Sequence, residues 1–273
     1  MKTFRAMVFC FAASTARAQE TPVDPYSPPA LSSGRLILST RNREAAQATN
    51  ACATALEAGE PTRAKEKCEE ALKHDPQVAL THLHMAQALA ELGDNAGAHA
   101  ELSRAGELSA HASHGEKLFI DAYRARRDAK IDDAERLYDE LCNTLPGEPR
   151  ARLARGEFLL ARGQIDRAIA DFHSIPAIAP RFGVVDRFLA KALTASAPSA
   201  AEEAVAVAKR YAAAAPTEAS AEVAVGYAEL RRGNAAEAIA AAKRALEKDA
   251  KNISAELLLI RSGGHSIYAA AAI

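Results

Sequence analysis

The chain has 273 residues and a formal net charge of −1, a length that suits one large domain or a repeat array. Hydrophobic residues make up 49%, but much of that is alanine, aromatics are only 5% and tryptophan is absent. A thick globular core is therefore poorly supplied, and thin layers of closely packed, alanine-faced helices fit the composition better.

In chain order, the first element is an export signal over residues 1–18. Lys2 and Arg5 give a basic start, Ala6 to Ala13 an apolar stretch, and Ala16-Arg17-Ala18 a small-x-small cleavage site between Ala18 and Gln19. The apolar stretch is too short to span a bilayer, which needs about 20 residues. Phe9 before Cys10 disfavours a lipoprotein signal. The expected destination is the periplasm or the exterior; a mitochondrial presequence is the rival, because the segment has Arg and Ser and no acid. Its removal takes away Lys2, Arg5 and Arg17, leaving 31 bases against 35 acids. That balance argues against nucleic acid as the partner of the whole domain. No other stretch is a transmembrane candidate.

Residues 19–41 follow as a linker. The part from Glu20 to Gly34 holds four prolines with Ser and Gly and is expected to be extended and solvated.

From Asn42 the pattern becomes helical. "EAGEPTRAKEKC" (Glu57 to Cys68), "ELGDNAGAHAEL" (Glu91 to Leu102), "ARGQIDRAIADF" (Ala161 to Phe172) and "RRGNAAEAIAAA" (Arg231 to Ala242) place Gly and Ala in the same columns. The anchoring alanines are Ala64, Ala98, Ala134, Ala168, Ala204 and Ala238, separated by 34, 36, 34, 36 and 34 residues. Stop signals trail by twelve at Pro76, Ala110, Pro146, Pro180, Pro216 and Ala250; proline cannot continue a helix. Six units result, over about 45–78, 79–112, 113–148, 149–182, 183–218 and 219–252. Each carries two apolar helical segments joined by a short turn, and one such hairpin cannot bury its own apolar stripe without a neighbour. The core columns of units three and five fit when their two extra residues lie between the two helices, in "DAKIDD" and "SAPSAAEE". Residues 253–264 read as a lone capping helix, and the tail 265–273 is unassigned.

This pattern resembles the tetratricopeptide repeat family, whose 34-residue unit has small residues at its eighth and twentieth positions and often Pro at its thirty-second. The eighth position here is Cys52, Ala86, Ile120, Gly156, Ala190 and Gly226, and the twentieth is alanine every time. The family's frequent Trp at position four is replaced by Ala48, His82, Glu116, Arg152, Asp186 and Glu222. The resemblance covers about three quarters of the chain. It implies an all-α, right-handed superhelical solenoid of antiparallel helix–turn–helix units, serving as a non-enzymatic protein-interaction scaffold.

It also implies a concave face lined by positions two, five, nine and twelve of each first helix. Those columns make the groove apolar at its ends and charged at its centre, with Lys117, Asp121, Arg124, Arg150, Glu157, Arg187, Lys191 and Tyr227 as binding candidates. The expected partner is an acidic or amphipathic segment, peptide or helix, of another protein. The alternatives are an accessory subunit of a cell-envelope or secretion assembly that works through its outer edges, and a glycan or small-ligand binder.

No nucleophile elbow, phosphate-cradling glycine loop or paired-histidine zinc helix occurs, and no cofactor or metal is expected. His82, His84, His99, His111 and His114 read as solvated surface residues. Cys52 and Cys68, at positions eight and twenty-four of unit one, face each other across a helical seam. They are either a disulfide, permitted by an oxidising compartment, or two small core cysteines. Cys142 reads as a free thiol.

Overall fold

A computed structural model describes residues 34–263. The signal peptide 1–18 with its Ala18–Gln19 cleavage site, the linker up to residue 33 and the tail 265–273 lie outside the described residues. Thirteen α-helices, and no strand, are found among those described. They pair as α1 (Arg43–Ala58) with α2 (Pro61–His74), α3 (Ala79–Glu91) with α4 (Asn95–Leu108), and α5 (His114–Arg127) with α6 (Ile131–Thr144). The series continues with α7 (Pro149–Ala161) and α8 (Ile165–Ile178), α9 (Val185–Ala195) and α10 (Ala201–Ala214), α11 (Ala219–Arg232) and α12 (Ala235–Lys248). A single helix, α13 (Ile253–Arg261), follows.

Each second helix has 14 residues, and the anchoring alanine is its fourth. All six alanines are buried, because their small side chains let the two axes of a hairpin close up. Gly156 goes further: the ring of Phe172 fills the space a Cβ would need. The turns within the hairpins show where the two extra residues of units three and five lie. α5 ends at Arg127 and α6 starts at Ile131, the same spacing as Glu91 to Asn95 and Ala161 to Ile165, and Ala129, with φ 56°, takes the place of Gly93 and Gly163. The extra residues of unit three therefore precede α5, at the 3-10 turn Ser109–His111, and not in "DAKIDD" as expected from the sequence. In unit five they do fall between the paired helices, at the short 3-10 turn Pro198–Ala200.

One apolar cluster runs from unit two into unit six, flanked by smaller ones around Cys52, Ala64 and Cys68 and around Ala242, Leu258 and Leu259. Stacking, rather than a single centre, supplies the core.

Residues 34–41 depart from the expected solvated linker. They run as an extended strap across the turns between units, with exposure alternating residue by residue. Leu36 and Leu38 pack against the core. Gly34 O accepts from Gly147 N–H at 2.9 Å, Leu36 N–H donates to Glu148 Oε2 at 3.2 Å, and Ser39 N–H donates to Glu116 Oε2 at 3.0 Å. Ser113 Oγ donates to Ile37 O at 2.8 Å, and Thr40 Oγ1 to Asp75 Oδ2 at 2.6 Å. The strap thus ties the starts of α5 and α7 to the end of unit one before the chain enters α1. Glu116 and Glu148 belong to the helix starts of α5 and α7, and their buried carboxylates serve cap and strap together.

Candidate functional site

The site begins with the orientation of α1. Cys52 and Cys68 are disulfide-bonded, with Cα atoms 5.3 Å apart. Fully buried Ala64 leaves room for that approach between α1 and α2. Cys142 is a free, buried thiol, its ionisation pushed up to about 11 mainly by burial.

Beyond the disulfide, the C-terminal turns of α1 face units four and five across the concave side. Arg150, at the start of α7, forms a bidentate contact with the Glu57 carboxylate, its second bond being 3.3 Å to Oε2. It also donates to Thr54 Oγ1 at 3.1 Å. Arg187 of α9 donates to the Glu57 carbonyl oxygen at 2.8 Å. Both guanidiniums lie over aromatic rings, Arg150 over Phe182 and Arg187 over Phe188. Unit one is therefore clasped to units four and five, 93 and 130 residues away in the chain.

Behind this clasp lies a cleft of about 340 Å³. Its apolar wall includes Leu36 of the strap, Leu56, Leu83, Phe119, Leu153 and Phe188, and its polar lining includes His84, Gln87, Glu91, Tyr123, Arg126 and Glu157. Burial pushes the carboxyls of Glu57, Glu91 and Glu157 above the ordinary 4.5, against the pull of Arg150 on Glu57 and of more distant arginines on the other two. Burial pushes His84 down to about 4, despite its 3.0 Å bond from Nδ1–H to Gln87 Oε1, so the ring is neutral near pH 7. Burial raises the Tyr138 phenol to about 12, opposed by the Arg126 charge and hydrogen bond.

The structure divides the eight groove candidates. Arg150 and Glu157 line the cleft, and Arg187 closes its rim. Lys117 pairs with Asp121 at 3.2 Å on a different stripe of α5, and Arg124 lies over Gly106 of α4. Lys191 is exposed, and Tyr227 sits in unit six under the Arg261 guanidinium. The physical reason is that the two extra residues of unit three precede α5, so Phe119, Tyr123 and Arg126 take the places that Leu83, Gln87 and Ala90 hold on α3. Gly115 lies beneath Leu36 and Leu145, Glu116 is buried at the helix start, and the helix turns its large residues Phe119 and Tyr123 inward. Arg126 follows them, and Lys117, Asp121 and Arg124 are carried away from the cleft. The expected basic centre is consequently replaced by a mixed lining of Arg126 and Arg150 with Glu57, Glu91 and Glu157.

Two histidines also differ from the expected surface set. His82 is buried, with its ring nitrogens 2.6 Å from Glu101 Oε2 and 3.0 Å from Pro76 O. His84 is enclosed in the cleft. Among the described residues, no group of three or more His, Cys, Asp or Glu is placed to hold a metal ion, and no helix is long and apolar enough to cross a membrane.

Comparison with known proteins agrees with this geometry at the level of the fold. Two family models described as tetratricopeptide repeat match residues 55–114 and 121–181. Among solved structures, the APC/C hetero-tetramer Cut9-Hcn1 is similar over 80% of this chain and 42% of the other, at 15% identity and a TM-score of 0.56. This chain thus spans less than half the length of that protein. PilW, a widely conserved type IV pilus biogenesis factor, is similar over 80% of this chain and 99% of its own, at 19% identity and a TM-score of 0.52. A tetratricopeptide repeat protein from Parabacteroides merdae matches over 81% and 84%, at 18% identity and a TM-score of 0.53. No curated protein matches the sequence.

Proposed function

Because the chain belongs to the tetratricopeptide repeat family, we propose that it is an exported, non-enzymatic interaction scaffold that takes a short segment of a partner protein into the cleft between units one and five. One observation carries this: the concave side holds a half-apolar, half-polar cleft whose size falls in the roughly 300–1,000 Å³ range of ligand sites. The Arg150 and Arg187 side chains reach α1 across the groove. An α-helix with side chains is about 10–12 Å across, so an extended segment or a turn suits this space better than a helix laid lengthwise. Export is supported by the basic and apolar start of the chain and by the Cys52–Cys68 bond, which suits an oxidising compartment.

A second mode of contact has its own support. Ile253, Leu257 and Ile260 of α13 are 76%, 50% and 51% exposed and share one helical face, which favours a contact at the end of the solenoid in an envelope or secretion assembly.

The test is a photo-reactive residue placed at Gln87 in the cleft or at Leu257 on α13 of the mature chain. Cross-linking of one partner from Gln87 alone, abolished by Ala90→Trp, supports the cleft. Cross-linking from Leu257 alone transfers the function to the end.

A further inference from the structure

The cleft's charges are unequally satisfied. Arg150 is engaged by the Glu57 carboxylate and Thr54, and Arg187 by the Glu57 carbonyl. Glu91 and Glu157 differ. Neither carboxylate has a hydrogen-bond or ion-pair partner among the described residues, and the surrounding cations act on them only from a distance. Glu91 sits at the end of α3 and Glu157 on the inner face of α7, and both line the cleft beside Tyr123. Glu91 lies exposed at the rim and Glu157 is half-buried deeper in, so the cost of a missing donor falls mainly on Glu157.

A ligand removes that cost by bringing donors, and removes most of it when the donors carry positive charge. An acidic ligand would add like charge beside Glu91 and Glu157, and a wholly apolar one would bury them further. An ammonium or guanidinium makes charge-assisted bonds to both. The walls suit the rest of such a side chain: Leu56, Leu83 and Leu153 accept its alkyl stem, and the Tyr123 ring can lie beside its head. Resting on the cleft reading above, we propose that the partner segment inserts a cationic group, a Lys or Arg side chain flanked by apolar residues, between Glu91 and Glu157. The acidic segment expected from the sequence is thereby reversed. Of the basic residues that suggested it, Arg150 and Arg187 are engaged within the protein.

The experiment is equilibrium binding of the mature chain to positional-scanning hexapeptide pools, N-acetylated and C-amidated, with one position fixed as Lys, Arg, norleucine or Glu. The Lys and Arg pools should bind on the order of tenfold or more tighter than the norleucine pool, since a hydrogen bond to a charged group is worth about 1.5–3 kcal/mol. The Glu pool should bind weakest. E91Q and E157Q keep shape and remove charge, and each should reduce the Lys preference while leaving norleucine binding unchanged. A parallel set with free N-termini separates a chain ammonium from a side chain: equal gain in every free-amine pool would reject the side-chain assignment. Equal binding of Lys and norleucine pools, or a Lys preference untouched by both substitutions, overturns the cationic inference and leaves the cleft standing. Retention of no pool at all, with the circular dichroism of folded helix, overturns the cleft with it.

Discussion

Glu222 and Glu229, in the C-terminal half, and Glu91 and Glu157, in the cleft, are carboxylates put to different ends. Glu222 meets Arg244 and Lys248, each at 2.9 Å, and fully buried Glu229 meets Lys209 at 3.1 Å and Arg232 at 2.5 Å. In both, burial pushes the carboxyl up, but the ion pairs outweigh it and hold the group below 4.5. Glu91 and Glu157 touch no cation, and burial, only partial for the exposed Glu91, prevails. The same residue type on the same kind of helix is thus structural in one half and available in the other. The difference lies in whether a packed helix supplies a cation at the facing column, as α12 does for Glu222 and α10 for Glu229.

The largest expected effect tests whether the two halves are separable. Leu258 is fully buried and fills the space above Gly226, so Leu258→Ala should cost about 2–5 kcal/mol. Because stability in a repeat array is local, hydrogen exchange should rise in α11 to α13 while cleft peptide binding persists. Loss of binding as well would mean that the halves are one cooperative unit.

Next in size is the disulfide. Cys52→Ala combined with Cys68→Ala opens a short loop, 16 residues in separation, and should cost about 3 kcal/mol by urea denaturation. Here binding should fall with stability, since α1 carries Glu57 and one wall of the cleft.

Arg150→Met keeps the stem and removes the guanidinium, leaving the Glu57 carboxylate buried without its main donor. A loss of about 1–3 kcal/mol near pH 7 is expected. It should shrink on acidification, because a protonated Glu57 no longer needs the charge.

The smallest effects have opposite signs in the two halves. The folded-state values of Glu91 and Glu157 are raised, so their contribution is fully present below about pH 4.5 and is lost as pH rises through the folded values. Glu91→Gln with Glu157→Gln should therefore leave the protein slightly more stable than wild type near pH 7 and equal to it in acid. The folded-state value of Glu222 is lowered, so its contribution is present above about 4.5 and lost as pH falls. Glu222→Gln should accordingly destabilise near neutrality, the difference closing in acid. Urea unfolding at several pH values measures both, and equal signs would erase the contrast.

Particular residues show what was readable in the sequence. The alanines from Ala64 to Ala238 mark the close seam of each hairpin, since no larger side chain fits at that column. Cys52 and Cys68 face each other because their columns do. The strap was missed, although "RLILST" alternates apolar and polar residues in the two-residue period of an extended, half-buried segment. The run is too short to stand out beside thirteen helices, and its anchors Glu116 and Glu148 are 77 and 112 residues away from their strap partners. Lys117, Asp121 and Arg124 were placed in the groove by putting the extra residues of unit three in "DAKIDD". They lie before α5 instead, which moves its inward columns two residues on, to Phe119, Tyr123 and Arg126.

The sequence by itself determined the number of hairpins, their lengths and the residues at their seams. These depend on contacts within a unit and with the next one, and such contacts recur at a fixed spacing. Only the tertiary structure decided where the strap lies, which arginines are engaged and which carboxylates are left open. Those outcomes depend on the curvature that brings unit one within reach of units four and five, and curvature is the accumulated result of small rotations that no single repeat displays.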